Sequence, residues 1–474
     1  MTDRVPQEWA MPHSENIQCR SYAGMKKLVK KIIVWKLNLL AKLYLRRFKL
    51  MIIAITGNVG KTSTKEAIAA VIGSVKSVRS SKGNLNNEFG VPLAIIGGFD
   101  EEYYEKGSSP WFWFKVIVVG CWLLVVPRLL AGIQAPPRRG QGVGHNYSEI
   151  LILEYGADKP GDIKRLVKKF RPHIGVVTAV GDIPVHVEFF SGSEAVAREK
   201  SKLIEVLEPT GYAILNSDDD VVLDMKEKTR AKVLTYGFGD GASIKISSFE
   251  YKIDGNMPIG VNFKLHYGPN SFVPVNINGS LGKSQAWSAA AAAAVGIALG
   301  LNLVEISDAL SYYDGPKGRL KILAGIKNSW IIDDTYNASP ASTHLALSVL
   351  RELPAVRRVA VLGDMLELGK YTVQAHQTIG DLVGGFVDVL ICVGARAKFI
   401  ADSAGNQMPK ENIHVFDTAD TAKRKVQELV NEGDLILIKG SQGMRMEKIV
   451  EEIMAEPLRK KELLVRQSKK WLNT

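Results

Sequence analysis

Residues 50–72 read LMIIAITGNVGKTSTKEAIAAVI, and the rest of the chain is organised around this stretch. An apolar run, Leu50 to Ala54, has the composition of a buried strand. A short turn bracketed by Gly57 and Gly60 follows, and then Lys61-Thr62 open an amphipathic helical pattern. Strand, glycine-bracketed turn and helix start together make a phosphate grip. Backbone N–H groups of the turn and of the helix N-terminus face an anion, the lysine adds charge, and the threonine hydroxyl is available to Mg²⁺. Gly57, Asn58, Val59, Gly60, Lys61, Thr62 and Ser63 are therefore candidate nucleotide-binding residues. The turn is shorter than G-x-x-x-x-G-K-[ST], because Gly57 lies only three positions before Gly60.

The chain has 474 residues, 46% of them hydrophobic, which is enough for two or three domains with ordinary cores. Its formal charge of +12 is concentrated locally. No Asp or Glu occurs from Asn16 to Lys65, whereas Arg20, Lys26, Lys27, Lys30, Lys31, Lys36, Lys42, Arg46, Arg47 and Lys49 are all basic. Nucleic-acid binding is not expected, since no recognised module surrounds the basic arm. Cys19, Cys121 and Cys392 are widely spaced, which implies neither a disulfide framework nor a metal site and suits a reducing compartment. Lys36 and Lys42 interrupt the N-terminal apolar run, and no small-residue cleavage site precedes Arg46-Arg47, so no clean signal peptide is read. A cytoplasmic catalytic body is expected.

Three regions are expected: a basic amphipathic arm over 1–50, a central ATP-binding domain over 51–314 with an apolar insertion at about 104–145, and a C-terminal domain over 315–474. In the arm, a helical pattern runs from Met25 to about Phe48. Lys27, Lys31, Asn38, Lys42, Arg46 and Lys49 form one stripe, and Leu28, Ile32, Trp35, Leu39 and Leu43 lie mostly elsewhere. Such a helix either rests on an anionic membrane surface or packs on the body with its basic face solvated. The insertion contains Trp111 to Ile133, whose uninterrupted apolar core from Val116 to Pro127 is short for a membrane span. A single crossing would also put the phosphate turn and the later parts of its own domain on opposite sides of a bilayer. An interfacial or re-entrant segment, or a helix covering an apolar surface, is what remains. Membrane contact is favoured because two such segments lie close together in sequence, so the expected location is cytoplasmic with peripheral contact at the inner face of the cell membrane.

Beyond the loop Pro136 to Gly140 the chain has an α/β rhythm. Strands are expected at Ile150–Glu154, Ile174–Thr178, Tyr212–Leu215 and Val233–Tyr236, with helices at Ile163–Phe170 and Glu194–Leu207, antiparallel β-structure over Ile244–Val275 and an alanine-rich helix over Ser284–Leu299. After Gly315-Pro316-Lys317-Gly318 the rhythm restarts with strands at Ser329–Asp333, Val359–Leu362, Val389–Val393 and Leu435–Lys439 and helices at Ala341–Leu353 and Thr372–Val383. The fold class is α/β: a P-loop-type ATPase domain followed by a doubly wound Rossmann-like domain. Glu154 ends a strand where open α/β sheets place ligands, and can hold Mg²⁺ opposite Thr62.

The stretches ITGNVGKTSTKE, GNLNNEFGVPL, LILEYGADKPGDI, HVEFFSGSEAVAREKSKL, AILNSDDD, GRL, IIDDTYNASP, VLGDMLELG and IKGSQGMRMEKIV, in this order from Met51 to Ala455, resemble the Mur ligase family, ATP-dependent amide-bond formers of peptidoglycan precursor synthesis. The similarity is greatest to the branch that adds D-alanyl-D-alanine to UDP-N-acetylmuramoyl-tripeptide, chiefly through Asn84–Leu93, Asp333–Pro340 and Gly363–Gly369. The resemblance implies that Gly57, Gly60, Lys61 and Thr62 hold the ATP phosphates and that Thr62 and Glu154 share one Mg²⁺. It further implies that Glu154, His186 and Lys200 hold a second, with Lys200 carbamylated, since a carbamate turns a repelling ammonium into an oxygen ligand. Lys61, Glu154, His186 and Lys200 are thus the implied catalytic group. Asn87 and Gln285 fall at nucleotide-side positions, Arg319 approaches the phosphates, Asp334 the ribose, and Lys439 to Ser441 the amine substrate.

The implied reaction converts a substrate carboxylate to an acyl phosphate with ATP and lets an amine such as D-alanyl-D-alanine attack it. A peptide precursor, that amine and an anionic membrane surface are the implied partners, with a monomeric chain. Two departures from the family pattern stand out. Ser284 and Ser288 replace a His and an Asn usual before the alanine-rich helix, leaving Lys283 or Trp287 to compensate. The basic arm also stands where a UDP-sugar-binding domain usually lies. A ligase for another acidic or lipid-linked substrate, or a membrane-associated ATP-binding scaffold without ligase activity, therefore stays open.

Overall fold

The computed structural model describes residues 27–81, 83, 85–107, 109–125, 149–181, 183, 186–255 and 257–472. Residues 1–26 of the arm with Cys19, Asn84, the apolar insertion beyond residue 125 and the Pro136–Gly140 loop lie outside them.

Helix α1 (Lys27–Phe48) leads into strand β1 (Met51–Thr56), and the turn after β1 starts α2 (Lys61–Gly73). The first sheet continues with β2 (Val78–Ser80), β3 (Ile150–Glu154), β4 (Ile174–Val177), β5 (Tyr212–Asn216), β6 (Lys232–Gly237), β7 (Ile244–Asp254), β8 (Met257–Tyr267) and β9 (Phe272–Asn278), in the order β2-β3-β1-β4-β5-β6-β7-β8-β9. Pairing is parallel from β2 to β7 and antiparallel from β7 to β9. Strand β1 pairs with β3 and β4 along its two edges, and helices packed on either side of the sheet bury both its faces. Ile53 and Ile55 pack into one core cluster and Ile52 and Ala54 into another, as the two-residue repeat of a strand requires.

The helices between β2 and β3 are α3 (Gly90–Ile96), α4 (Asp100–Lys106) and α5 (Pro110–Val125), and those around β4 are α6 (Asp162–Lys169) and α7 (Ser193–Glu205). Helix α8 (Lys283–Ala298) carries the alanine run Ala289–Ala294, every residue of it fully buried against a cluster that includes Ala67, Ile68 and Val71 of α2. Small side chains let the two helices press closely, so the run is a packing device. The second sheet comprises β10 (Lys321–Ala324), β11 (Trp330–Asp334), β12 (Arg357–Gly363), β13 (Val389–Val393), β14 (Ile413–Phe416) and β15 (Asp434–Lys439), ordered β10-β11-β15-β12-β13-β14. Only β10 runs antiparallel; α9 (Pro340–Glu352) and α10 (Thr372–Gly384) are among its crossover helices.

The fold class is the expected α/β arrangement with two sheets. Strands β2, β10 and β14 were not expected from sequence. All three are sheet edges of three or four residues and mostly half-exposed, so they carry little apolar signal.

Helix α1 packs on the body, one of the two alternatives open for the arm. Ile33, Leu37, Leu40, Ala41 and Tyr44 are buried on the body in the cluster that also holds Phe112, Trp113 and Val116 of α5. Tyr44 Oη donates to the carbonyl of Gly120 at 3.0 Å, tying α1 to α5. A Cβ on Gly120 would stand 2.5 Å from Leu40 Cδ2, so the glycine permits the helices' close approach. The apolar residues that sequence set off from the basic stripe, Ile32, Trp35, Leu39 and Leu43, are exposed. Among the described residues no helix is long and apolar enough to cross a membrane.

Candidate functional site

The turn after β1 is held from below by the end of β4. The backbone N–H of Asn58 donates to the Ala179 carbonyl at 2.7 Å, and Asn58 Nδ2 donates to the Val180 carbonyl at 2.6 Å. Gly57 has φ 143°, and a Cβ there would fall 1.9 Å from Thr178 Oγ1, so only glycine fits. Gly60 caps α2 in the left-handed region with φ 87°. Lys61 Nζ folds back to donate to the Gly57 carbonyl at 2.7 Å, and Thr62 and Ser63 follow in the first turn of α2. The lysine therefore lies across the mouth of its own turn. Burial lowers its pKa, opposed by Glu154, and Arg319 lowers it further.

Glu154 ends β3 one strand away, its register partner being Ile55. Thr56 Oγ1 donates to the Tyr155 carbonyl at 2.9 Å and locks the two strand ends together. Glu154 is 1% exposed, and its Oε1 accepts no hydrogen bond although Lys65 Nζ lies 3.2 Å away. Lys65, one turn into α2, also donates to the Ser81 carbonyl at 2.5 Å. Burial opposes its charge, but Glu154 and Glu66 hold it protonated and raise its pKa. Sequence reasoning passed over Lys65, since a lysine in a helix reads as a solvated one.

Lys200 and its neighbour Glu199 reach two different loops from α7. Glu199 accepts from the N–H groups of Gly161 (2.9 Å) and Lys164 (3.1 Å), which fixes the GADKPGD loop on α7. Lys200 is buried and donates to the Gly57 carbonyl at 3.1 Å. Burial, with Lys61 nearby, pushes its pKa down from 10.5 to about 7, and Asp158 and Glu199 oppose the shift. His186 lies with Nε2 3.6 Å from Asp158 and Nδ1 2.6 Å from Glu367, a residue that follows the second sheet's β12. Asp158 thus faces Lys61, Lys200 and His186 at once, which its sequence position alone did not show.

The second sheet supplies the opposite wall. Val59, Gly60, Ser63, Ser284 and Gln285 line one cleft together with Arg319, Leu320, Asp334 and Lys439. The Arg319 guanidinium stacks 4.0 Å above the Tyr336 ring, and its buried Nε has no partner. Gln285 Nε2 donates to the Arg319 carbonyl at 3.2 Å, while Gln285 Oε1 accepts from Tyr313, whose hydroxyl also reaches the Ser63 carbonyl. Asp334 accepts from Lys439 Nζ at 2.5 Å, a fully buried ion pair. Lys439 is thereby committed to Asp334 and to the Asn337 carbonyl. Asn87 Oδ1 accepts from the N–H groups of Phe89 and Gly90 and so caps α3. Ser288 Oγ accepts from Thr64 at 3.4 Å, and Trp287 Nε1 donates to Asp218 at 2.7 Å.

The phosphate turn, a strand-end carboxylate, a buried lysine of depressed pKa and an arginine from a second doubly wound sheet meet in one place. Two family models match the chain: the Mur ligase middle domain over residues 141–296, and the Mur ligase glutamate ligase domain over 318–442. This chain belongs to the Mur ligase family.

Among relatives of this Mur ligase is the UDP-N-acetylmuramoyl-tripeptide--D-alanyl-D-alanine ligase of Bacillus subtilis, 27% identical over 89% of this chain and 80% of that one. The enzyme of the same name from Escherichia coli is 26% identical over 84% of this chain and 76% of that one. The crystal structure of MurF from Acinetobacter baumannii superposes with a TM-score of 0.68 at 26% identity, covering 87% of this chain and 79% of that chain. MurF from Thermotoga maritima, solved in complex with ADP, shares the fold with a TM-score of 0.69 at 24% identity, over 90% and 84% of the two chains. Mur ligases are ATP-dependent enzymes that form C–N bonds, and this one is an enzyme of that kind.

Proposed function

We propose that the chain activates the terminal carboxylate of a muramoyl-peptide precursor with ATP and joins it to D-alanyl-D-alanine. The observation that carries this reading is the cleft between the two sheets, where Val59, Gly60 and Ser63 of the phosphate turn face Arg319, Asp334 and Lys439, with Lys61 close to both Glu154 and Arg319 and with Lys200 on the Gly57 carbonyl behind the turn. A phosphoryl donor gripped on one side and closed over from the other suits acyl-phosphate chemistry, in which water must be kept out. A carboxylate oxygen attacks the γ-phosphorus of ATP, the bond from that phosphorus to the β-phosphate oxygen breaks, and ADP leaves. The amine nitrogen then attacks the carbonyl carbon, phosphate leaves, and the amine gives up a proton.

In this reading Gly57 to Ser63 cradle the phosphates, Lys61 leaves the Gly57 carbonyl for the γ-phosphate, and Arg319 offsets charge on the transferred group. Asp334, anchored by Lys439, is placed for the ribose, and Gln285 and Asn87 support the nucleotide side through the loops they brace. Thr62 and Glu154 would hold one Mg²⁺, and Glu154, His186 and Lys200 a second. The buried Glu154 carboxylate and the lowered Lys200 pKa fit that donor set. The metal ions, when bound, neutralise developing phosphate charge. A lysine with a pKa near 7 has enough neutral amine to add CO₂, losing a proton to become a carbamate. We also place the working boundary between the two catalytic domains near Gly315, and count an anionic membrane surface among the partners.

The test is ADP release with Mg²⁺ and UDP-N-acetylmuramoyl-tripeptide, with and without D-alanyl-D-alanine. Release that needs both substrates, with the pentapeptide product detected by mass, is the expected result. ADP release indifferent to the amine, with no new amide, would overturn the assignment.

A further inference from the structure

Helices α1 and α5 each bury one face in the same core cluster and touch along Leu40, Tyr44 and Gly120, so their other faces form adjacent outward ridges. On α1 the outward ridge is Val29, Ile32, Trp35, Leu39 and Leu43, steps of three and four residues that make one helical stripe. On α5 it is Trp111, Phe114, Val118 and Trp122 at the same spacing. Trp35 is 63% exposed, Trp111 73% and Trp122 51%, and Trp111 stacks on Phe114 at 5.2 Å. Large apolar side chains concentrated in this way are not ordinary surface scatter; they mark an interaction face.

The charge around the ridges selects the partner. Neither helix contains an acidic residue. Lys31, Lys42 and Arg46 flank the α1 stripe on one side and Lys36 and Arg47 on the other, all exposed. Two acids that pair with lysines of these helices are engaged by them: Glu88 with Lys30 at 3.1 Å and Glu102 with Lys115 at 2.7 Å. An apolar stripe with tryptophans, bordered on both sides by lysine and arginine, matches a bilayer interface, where rings enter the headgroup boundary and long basic side chains reach anionic lipid. We propose that the outward faces of α1 and α5 form a peripheral docking surface for an anionic lipid bilayer. The face is separate from the cleft that holds Lys61 and Arg319, and the inference does not depend on the ligase reading.

The full chain would be floated with vesicles of phosphatidylcholine alone and of phosphatidylcholine containing phosphatidylglycerol, at physiological and at high salt. Binding to the anionic vesicles, weakened by salt, is expected. Exchanging Trp35, Leu39, Trp111 and Trp122 for Glu should weaken partitioning by roughly a hundredfold or more. Changing Lys31, Lys42 and Arg46 to Ser should weaken it by about a hundredfold on anionic vesicles. ADP release without vesicles should be unaltered in both variants, which shows that they fold. Failure to float with either vesicle type, or equal flotation of wild type and both variants, would overturn the proposal. So would a concentration-dependent dimer in sedimentation velocity that the apolar variant abolishes while wild type ignores vesicles, since the face would then belong to a second copy.

Discussion

Single residues at the phosphate turn carry the sharpest expectations. Gly57→Ala places a Cβ inside Thr178 Oγ1, so the turn must deform. We expect ATP affinity to fall by at least about tenfold, as for a loss of roughly 1.4 kcal/mol or more. Isothermal titration with ATP checks this, and adding Thr178→Ala should recover only part of the loss because φ 143° remains unfavourable for alanine. Lys61→Ala should lower kcat by about a thousandfold or more with a stable fold, measured by ADP release. For Lys200 the folded pKa of about 7 lies below the ordinary 10.5. Between those values the unfolded chain binds more protons than the folded one, so stability rises with pH across the window. Urea denaturation should show Lys200→Met more stable than wild type below pH 7, with the gap closing above it. Activity at constant dissolved CO₂ should rise as pH passes about 7, and in Lys200→Ala a small carboxylate should restore part of it. The roles of Lys65 and Asp158 were not legible at this scale. A lysine four residues after Lys61 and an aspartate in a loop acquire meaning only when β3 and α2 bring their partners within reach.

Among the elements, α1 separates packing from surface function. Leu37 is fully buried, so Leu37→Ala should cost about 2–5 kcal/mol. Trp35, 63% exposed two positions earlier, should tolerate alanine within about 0.5 kcal/mol. Urea unfolding of the two variants checks the contrast. The helix was readable from its periodicity, and so were most strands with continuous apolar runs, such as β3 and β13, whose expected bounds match those observed. Edge strands β2, β10 and β14 were not, because a half-exposed strand of three or four residues has neither an apolar run nor enough alternation to register. Which face of α1 turns inward was also invisible. Its apolar residues cover two faces, and only the presence of α5 and α3 decides which of them is buried.

Across the whole molecule, the site exists because two separately wound sheets face each other. Arg319 and Asp334 belong to the second and reach the turn of the first. Arg319→Lys should keep the charge but lose the planar stack on Tyr336 and the fork of donors. We expect a fall of about a hundredfold in kcat with a smaller change in ATP affinity, from steady-state kinetics beside titration. Breaking the buried Asp334–Lys439 pair with Asp334→Ala leaves a lysine uncompensated and should cost about 3–5 kcal/mol in urea unfolding. The double change Asp334→Asn with Lys439→Met should cost much less, as no buried charge is stranded.

Local order along the chain was enough to determine the phosphate turn and the α/β class, because glycine placement and strand periodicity are properties of neighbours in sequence, whereas His186, Lys200, Arg319 and Asp334 were singled out only through the family resemblance. Tertiary structure alone decided that Lys65 pairs with Glu154, that Lys439 serves Asp334, and that α1 presents the apolar stripe with Trp35 outward. Each of these depends on which distant group arrives within a few ångströms, and burial then makes charge pairing and apolar exposure matter.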